Sequence, residues 1–256
     1  MFYLGIHQAA WLSETTVPLF ISRRRLASRK RFPRSNGRWA LDSGGFTEIK
    51  MHGKWSIGPE QYVSDVRRIS EGVGMMDWAA IQDWMCEPPM LAKTGLTIRQ
   101  HQELTIKSYL DLTRLAPDVT WVPVLQGWRQ DDYLDHVTQY ATAGVALAAL
   151  DTVGLGSVCR RQGTEEFANI VRALAALGLK LHGFGVKTQG LMKVADLLKS
   201  SDSLAWSSVA RWMQRPGLPQ CEGGGHKNCA NCLPFGLEWR SKLVSKLPPR
   251  WGAGIP

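Results

Sequence analysis

The sequence predicts an α/β fold, a closed (β/α)₈ barrel of the TIM type in which parallel strands alternate with helices. Short apolar segments of strand character alternate with longer segments whose apolar residues recur at helical spacing. The alternation runs from Phe2 to Trp206 with no internal repeat, which favours a parallel α/β sheet. Seven strand segments can be identified, and that number favours a closed barrel over an open sheet.

The predicted strands lie at residues 2–6, 39–42, 77–83, 121–127, 145–157, 179–186 and 203–206. A long polar and basic connection is expected between the first two of them. The eighth strand is expected either after Trp206 or not at all, so the eighth unit of the barrel is predicted to be irregular. We divide the chain into a catalytic barrel of residues 1–215 and a segment of residues 216–256 packed on it.

Local signals mark where several helices begin. Pro59 occupies a first helical position, where its missing N–H is not needed. Thr97 and Gln100 form a capping box, and Asp131 and Asp132 suit the positive end of a helix dipole. A later helix is predicted from an apolar pattern made by Leu191, Val194, Leu197 and Leu198.

A carboxylate follows the second predicted strand directly, in the stretch Trp39-Ala40-Leu41-Asp42-Ser43-Gly44-Gly45-Phe46. A pair of glycines permits positive φ and lets the backbone approach a ligand closely. TIM barrels place their chemistry at the carboxyl ends of the strands. The stretch therefore predicts a site at Asp42, and the alternative is that Asp42 only caps the following turn.

Other predicted strands also end on polar or glycine residues. Asp83 closes the third strand, Gln126 the fourth, and Gly156 lies at the end of the fifth. In a barrel these ends meet at one face, so the same site is expected to contain Asp42, Asp83, Gln126 and Gly156.

The composition fits a globular chain that buries a substantial core. Hydrophobic residues make up 44% of the 256 residues and charged residues 21%. No run of about 18 apolar residues is present, so no membrane span is expected. The N-terminus lacks the basic segment that begins a signal peptide, which predicts a cytoplasmic protein.

The net charge of +9 is partly concentrated in one block, which carries eight basic residues and no acid between Arg23 and Arg38. Such a block attracts a polyanion by releasing its counterions. We predict that it binds nucleic acid, and the alternative is a solvated loop. The candidate contacts are Arg23, Arg24, Arg25, Lys30 and Arg31.

Near the C-terminus, four residues with the chemistry of zinc ligands lie within twelve positions: Cys221, His226, Cys229 and Cys232. Zinc favours a tetrahedral set of cysteine and histidine, and four protein ligands leave no open position. The cluster therefore predicts a structural zinc site in a reducing compartment. The alternative is a Cys/His loop that arose by coincidence.

Taken together, the motifs resemble the queuine/archaeosine tRNA-guanine transglycosylase family. The resemblance rests on their order along the chain, which includes Asp42-Ser43-Gly44-Gly45-Phe46, Gln82-Asp83, Leu125-Gln126-Gly127, Gly154-Leu155-Gly156, Gly183-Phe184-Gly185-Val186 and a late Asp202 before the zinc cluster. Three longer stretches, at residues 82–88, 154–161 and 182–187, resemble the DNA-acting branch of the family, the DpdA-type 7-deazaguanine DNA transglycosylases of phages and bacterial DNA-modification clusters.

The resemblance implies that guanine in DNA is exchanged for a 7-deazaguanine base, such as 7-cyano-7-deazaguanine. It implies that Asp202 is the nucleophile on the sugar and that Asp42 is the general acid and base. Asp83, Gln126 and the backbone of Gly156 are then expected to bind the base, in a pocket that also contains Ser43, Gly44, Phe46 and Gly185.

Several alternatives remain open at this point. Asp202 could cap a turn, with Asp151 or Asp196 in its place, and Asp83 could pair with an arginine. The zinc pattern departs from that of the tRNA enzymes, because His226 lies inside the cysteine cluster. The substrate could be tRNA instead of DNA, or the barrel could bind nucleic acid without turnover. The resemblance suggests a homodimer or a partner from a modification pathway, although the sequence carries no interface signal.

Overall fold

The computed structural model of the protein describes residues 1–159, 163–186, 188–222 and 225–252. Its strands are β1 (Phe2–Ile6), β2 (Leu19–Ser22), β3 (Trp39–Asp42), β4 (Met76–Ala80), β5 (Trp121–Val122), β6 (Val124–Leu125), β7 (Val153–Leu155), β8 (Leu181–Gly183) and β9 (Leu198–Ser203). The helices are α1 (Gly45–His52), α2 (Pro59–Val73), α3 (Pro88–Thr94), α4 (Ile98–Leu115), α5 (Gln130–Thr142), α6 (Glu165–Ala176), α7 (Thr188–Val194), α8 (Ala205–Met213) and α9 (Leu233–Val244). Arg160, Arg161 and Lys187, which belong to two of the motifs above, lie outside the described residues.

The strands form one parallel sheet in the order β5-β4-β3-β2-β1-β9-β8-β7-β6. The two outermost strands, β5 and β6, are halves of a single segment that Pro123 divides, because proline has no N–H to donate to a ladder. The sheet therefore returns to its own starting segment and closes around eight strand positions. This confirms the predicted barrel, and its irregular unit is the strand interrupted at Pro123.

The eighth strand is β2, which pairs with β1 on one side and with β3 on the other. The prediction that this strand lies after Trp206 or is missing was wrong. Only three apolar residues, at positions 19–21, separate Pro18 from Ser22 and the basic block. A segment this short gives a weak sequence signal, and parallel pairing on both edges stabilises it as a strand.

The last strand was also placed wrongly, because β9 ends at Ser203 instead of beginning there. Its sequence Leu-Lys-Ser-Ser-Asp-Ser has little strand character. Pairing with β1 and β8 supplies the missing stabilisation, and the Ser201 hydroxyl donates a hydrogen bond of 2.8 Å to the Gly183 carbonyl. As a result Asp202 lies near the carboxyl end of a strand, as Asp42 does.

Two further segment predictions were corrected. Residues 147–149 form a short 3₁₀ turn, and only Val153–Leu155 of the predicted fifth segment is a strand. The helix predicted through Leu198 ends at Val194. The helix starts at Pro59, at Thr97 and at Asp131 are confirmed, including the reciprocal capping box of Thr97 and Gln100.

Two apolar layers enclose the strands. The outer layer packs the helices onto the barrel around large buried side chains such as Trp39, Tyr62 and Phe167. The interior of the barrel is filled by a smaller cluster that is rich in rings, with Tyr3, Phe20 and Trp78 beside short aliphatic residues. The filled interior leaves space for a site only at the carboxyl ends of the strands.

After β9 the chain packs back onto the barrel through helices α8 and α9. Trp206 of α8 donates from its indole N–H to the Gly5 carbonyl over 2.8 Å. Helix α9 contacts β1 and α8, and the Arg240 guanidinium donates two hydrogen bonds to the Phe2 carbonyl. The Cys/His cluster lies between these two helices. Among the described residues, no helix combines the length and the apolar character needed to cross a membrane.

Candidate active site

An open cavity of about 750 Å³ lies at the carboxyl ends of the strands. Its wall includes residues from the ends of β1, β2 and β3 and from the segments that follow β4, β6, β7, β8 and β9. All nine residues predicted to act in catalysis or base binding line it, namely Asp42, Ser43, Gly44, Phe46, Asp83, Gln126, Gly156, Gly185 and Asp202. The fold thus brings together side chains that are up to 160 positions apart in sequence.

Asp42 is the last residue of β3, and the turn after it holds its carboxylate. The Gly44 N–H donates to Asp42 Oδ2 over 3.1 Å. Gly44 has a φ of 80°, which favours glycine, and a Cβ at this position would lie 2.8 Å from the Arg24 side chain. Burial raises the pKa of Asp42 to about 6, and the nearby Asp202 charge acts in the same direction, while hydrogen bonds from Ser22 and Gly44 oppose the shift.

Asp83 lies on the same wall and accepts hydrogen bonds at both oxygens. Ser43 Oγ donates to Oδ1 over 3.1 Å, and Gln126 Nε2 donates to Oδ2 over 2.6 Å. Burial raises the pKa of Asp83 to about 7, with a further contribution from the charge of Asp42. In the part of the chain that the structure describes, no arginine pairs with this carboxylate. Asp83 is held instead by the side chains of Ser43 and Gln126, which also line the cavity.

Gln126 is fully buried and connects Asp83 to a second polar group. Its Oε1 lies 2.6 Å from Ser157 Oγ, which is also 3.0 Å from a carboxylate oxygen of Glu87. The backbone N–H of Cys86 donates to the same hydroxyl over 2.8 Å. Ser157 and Glu87 were assigned no role from the sequence, although both lie within the stretches 154–161 and 82–88 that carry the family resemblance.

Gly156 matters because of the space it leaves. A Cβ at this position would lie 2.4 Å from Gln126 Nε2, so no larger residue fits while Gln126 keeps its place. The Gly156 N–H donates to the Leu125 carbonyl over 3.0 Å, and its own carbonyl accepts from the Tyr133 hydroxyl over 2.8 Å. The N–H and the carbonyl of Gly156, whose backbone was predicted to bind the base, are therefore both already paired within the barrel.

Asp202 lies on β9 and lines the same cavity as Asp42. Its Oδ1 accepts a hydrogen bond from the Gly185 N–H over 2.9 Å and lies 3.3 Å from His182 Nε2. Its second oxygen, Oδ2, receives no hydrogen bond from the described residues. His182 was assigned no role from the sequence, but the alternation of side chains along β8 directs it into the barrel towards Asp202.

The basic block divides into parts with different surroundings. Arg23 is buried and pairs with Asp65 over 2.6 Å and with Glu48 over 3.8 Å, so it stabilises the interior. Arg24, which pairs with the same Glu48, and Arg25 line the cavity at its rim.

The later residues of the block lie away from the cavity. The Arg29 carbonyl accepts a hydrogen bond of 2.7 Å from Arg68, in the C-terminal half of α2. Lys30 and Arg31 are exposed and follow this contact, so they lie along the flank of the barrel. The basic block is therefore not one continuous surface.

A further basic residue, Arg211 of α8, acts electrostatically on the cavity wall. Burial lowers the pKa of His7, which lines the cavity, and the charges of Arg25 and Arg211 lower it further. The next residue, Trp212, is 85% exposed, which is unusual for an indole side chain.

The C-terminal cluster has a geometry that suits a metal ion. The ligand atoms of Cys221, His226, Cys229 and Cys232 lie within 4.8 Å of one another. The Sγ atoms of Cys221 and Cys232 are 3.7 Å apart, and His226 Nε2 lies 3.4 Å from Cys229 Sγ. A tetrahedral zinc site with Zn–S bonds of about 2.3 Å has sulfur atoms about 3.8 Å apart. The four residues fit such an ion.

A family model described as DpdA, DeoxyPurine in DNA protein A, matches residues 1–253. The chain belongs to the DpdA family. This confirms the resemblance to the DpdA-type proteins that the sequence motifs indicated. No curated protein matches the sequence of this DpdA-family chain.

Two solved structures are similar to the DpdA-family chain at low sequence identity. A putative isomerase from Sinorhizobium meliloti is 10% identical, with a TM-score of 0.42, over 78% of this chain and 49% of its own. A glucosidase from Croceicoccus marinus is 14% identical, with a TM-score of 0.37, over 71% of this chain and 44% of its own. The matched regions thus cover about half of each of these proteins or less.

Proposed function

We propose that this protein is a DNA guanine transglycosylase, which replaces guanine in DNA by a 7-deazaguanine such as 7-cyano-7-deazaguanine. One observation carries the proposal: a single cavity contains two separate carboxylates, Asp42 and Asp202, beside a polar wall formed by Asp83 and Gln126. A glycosyl transfer with a covalent intermediate needs a nucleophile and a separate proton donor, and recognition of a base needs a polar edge.

In the first half-reaction, Asp202 Oδ2 attacks C1′ of the nucleotide while the bond from C1′ to N9 of guanine breaks. Asp42, protonated at this stage, gives its proton to the departing guanine. The product is a covalent ester between Asp202 and the sugar, together with free guanine. Oδ2 of Asp202 accepts no hydrogen bond from the described residues, whereas Oδ1 accepts one from the Gly185 N–H. This difference supports Oδ2 as the attacking atom.

In the second half-reaction, the Asp42 carboxylate removes the N9 proton of the incoming 7-deazaguanine. The base then attacks C1′, and Asp202 leaves as a carboxylate. A group that alternately donates and accepts a proton works best when its pKa lies near the operating pH. The raised pKa of Asp42, about 6, supports this assignment.

We assign recognition of the base to Asp83 and Gln126. Guanine and 7-deazaguanine present N–H donors at N1 and N2, which suit a carboxylate, and a carbonyl at C6, which suits an amide N–H. Asp83 and Gln126 hold each other over 2.6 Å, so the pair offers both functions in a fixed arrangement. Ser43, Gly44, Phe46, Gly156 and Gly185 complete the walls of this base pocket.

The cavity is accessible to a base only after that base has left the duplex or in a single strand, and flipping a nucleotide costs a few kcal/mol. We propose that Arg24, Arg25 and Arg211 hold the backbone at the rim and that Trp212 stacks on an unpaired base. Lys30 and Arg31 would contact phosphates further along the flank. Arg23 is excluded from this role by its burial and its ion pairs.

We propose that the C-terminal cluster binds zinc and that the ion is structural. Four protein ligands would fill its coordination shell, and none of the four lines the cavity that contains Asp42 and Asp202. The Gly217 N–H, 3.2 Å from Cys229 Sγ, would support a bound thiolate.

A base-exchange assay tests the proposal. Purified protein is incubated with radiolabelled guanine and with duplex DNA, single-stranded DNA or tRNA, and the wild type is compared with Asp42→Ala and Asp202→Ala. We expect label in DNA only, and loss of exchange in both variants with DNA binding retained. Label in tRNA only would mean that the protein carries out the same chemistry on RNA. Binding without exchange on any substrate would favour a non-catalytic barrel, and normal exchange in both variants would overturn the site assignment.

A further inference from the structure

His182 lies below Asp202 in a closed aromatic environment inside the barrel. The imidazole is fully buried, and its ring centre lies 4.8 Å from those of Trp78 and Phe184. The rings of Phe20 and Tyr3 lie 5.8 and 5.9 Å away. Rings on several sides fix the plane of the imidazole, and the polar partners of its nitrogen atoms select between the two ring orientations that share this plane.

Each of these nitrogen atoms has a polar partner. Nδ1 lies 2.8 Å from Ser200 Oγ, and Nε2 lies 3.3 Å from Asp202 Oδ1. An ionised carboxylate only accepts hydrogen bonds, so the proton of a neutral imidazole has to be on Nε2. Nδ1 is then an acceptor, and the Ser200 hydroxyl, which can both donate and accept, donates to it. The Asp202 carboxylate thereby selects the tautomer, and the Ser200 hydroxyl adapts to it.

The imidazole is neutral at physiological pH. Burial lowers the pKa of His182 more than its contact with Asp202 raises it, and the positive N-terminal amine also lowers it. The other side chains that surround the ring are aromatic and carry no charge. A neutral donor orients a carboxylate without forming an ion pair, and an ion pair would withdraw electron density from the nucleophile.

We propose that His182 is a positioning residue that aims Asp202 at the sugar. Its Nε2–H and the Gly185 N–H bind the same oxygen of Asp202, and this leaves Oδ2 directed towards the substrate. The Ser200 hydroxyl satisfies Nδ1 in the tautomer that can donate to Asp202. This inference rests on the proposed function, in which Asp202 is the nucleophile.

Two substitutions at His182 separate positioning from packing. In His182→Gln the side-chain amide can take the place of Nε2–H, and in His182→Asn it can take the place of Nδ1 only. We expect His182→Asn to lose about 100-fold in kcat, because a misdirected reactive group has about this effect. His182→Gln should retain within about tenfold of the wild-type kcat, with KM for DNA similar in both variants. Near-UV circular dichroism and thermal unfolding establish that each variant is folded.

The tautomer is measured without substrate, by NMR of protein labelled with ¹⁵N-histidine at pH 7, with the His182 signals assigned by their absence in His182→Gln. We expect a neutral ring protonated at Nε2, and the same tautomer in Ser200→Ala, because Asp202 still accepts from Nε2–H in that variant. A ring protonated at Nδ1 or at both nitrogen atoms would overturn the inference, as would full kcat in His182→Asn. If the wild type exchanges no base on DNA or RNA, the proposed function fails, and the tautomer still decides whether Nε2 donates to Asp202.

Discussion

Gln126 Nε2 donates a hydrogen bond of 2.6 Å to Asp83 Oδ2 across the wall of the cavity. The two residues come from different strand ends, 43 positions apart in sequence. Ser43 and Ser157 bind the remaining oxygen of each side chain, so the edge that we expect to bind guanine is arranged before any base arrives. A preorganised edge loses little conformational entropy on binding.

The raised pKa of Asp42 predicts opposite pH dependence for the two half-reactions. Formation of the covalent sugar adduct needs protonated Asp42, so its rate should fall as pH rises through about 6. Attack by the incoming base needs ionised Asp42, so its rate should rise through the same pH. Rapid-quench measurements of guanine release and of base incorporation, made separately from pH 5 to 8, would show a rate that falls with pH for the first step and one that rises with pH for the second. Parallel profiles for both steps would contradict the assignment of Asp42.

Burial of Asp83 predicts a pH-dependent gain in stability on its replacement. Its pKa is about 7 in the folded protein and about 3.9 when unfolded, so the folded state binds more protons between these values. The free energy of unfolding contributed by this group therefore falls as pH rises from about 4 to 7. We expect Asp83→Asn to be more stable than the wild type at pH 8, by on the order of 2 kcal/mol, and nearly equal to it near pH 4.

Denaturant unfolding at the two pH values measures this difference. Asp196→Asn, at an exposed position on the surface, is the control and should show no comparable gain. Base exchange by Asp83→Asn should fall at the same time, because the carboxylate that binds the base donors is lost. Full exchange by Asp83→Asn would contradict the role of Asp83 in base binding.

The close approach at Gly156 predicts a defect from a single methyl group. In Gly156→Ala the added Cβ would lie 2.4 Å from Gln126 Nε2, so Gln126 must move and its bond to Asp83 must lengthen. We expect a loss of about 1–3 kcal/mol of stability and a strong rise in KM for the base. Gly58→Ala is the matched control, because its φ of −75° and its surroundings tolerate a methyl group. Similar behaviour of the two variants in both assays would contradict the role of Gly156.

The division of the basic block predicts unequal effects of its arginines on DNA binding. Arg25→Ala, at the rim, and Arg211→Ala, which removes the charge that acts on His7, should weaken DNA binding and reduce the slope of log K against log[salt] by about one each. Arg31→Ala, on the flank, should have a smaller effect, since this residue lies away from the cavity. Fluorescence anisotropy at several salt concentrations tests this order. An equal effect of all three would mean that the block binds DNA as one surface.

The ligand geometry at the C-terminus predicts that the protein contains one zinc ion per chain. Elemental analysis of purified protein should show it, and Cys229→Ser should lose it. Removal of the ion by a chelator should destabilise α8 and α9, because structural zinc contributes on the order of 10 kcal/mol to the folding of its segment. Recovery of thermal stability on adding zinc, but not magnesium, is the control. Unchanged unfolding after complete removal of zinc would contradict a structural role.

The features that the sequence determined by itself are those with a local signal. Alternating strand and helix patterns predicted the barrel, the Asp42 turn predicted one carboxylate of the site, and four ligands within twelve positions predicted the metal cluster. The helix starts at Pro59 and Thr97 were also predicted correctly, because caps depend on neighbours a few residues away.

Only the tertiary structure decided the features that depend on distant partners. Strand β2 and the serine-rich β9 have weak strand sequences and are held by pairing with their neighbours, which places Asp202 at the end of a strand. The burial of Arg23 follows from its pairing with Asp65, 42 positions away. The contact between His182 and Asp202 exists because β8 and β9 lie side by side. Each depends on free energy from contacts between separate segments, which no local pattern in the sequence contains.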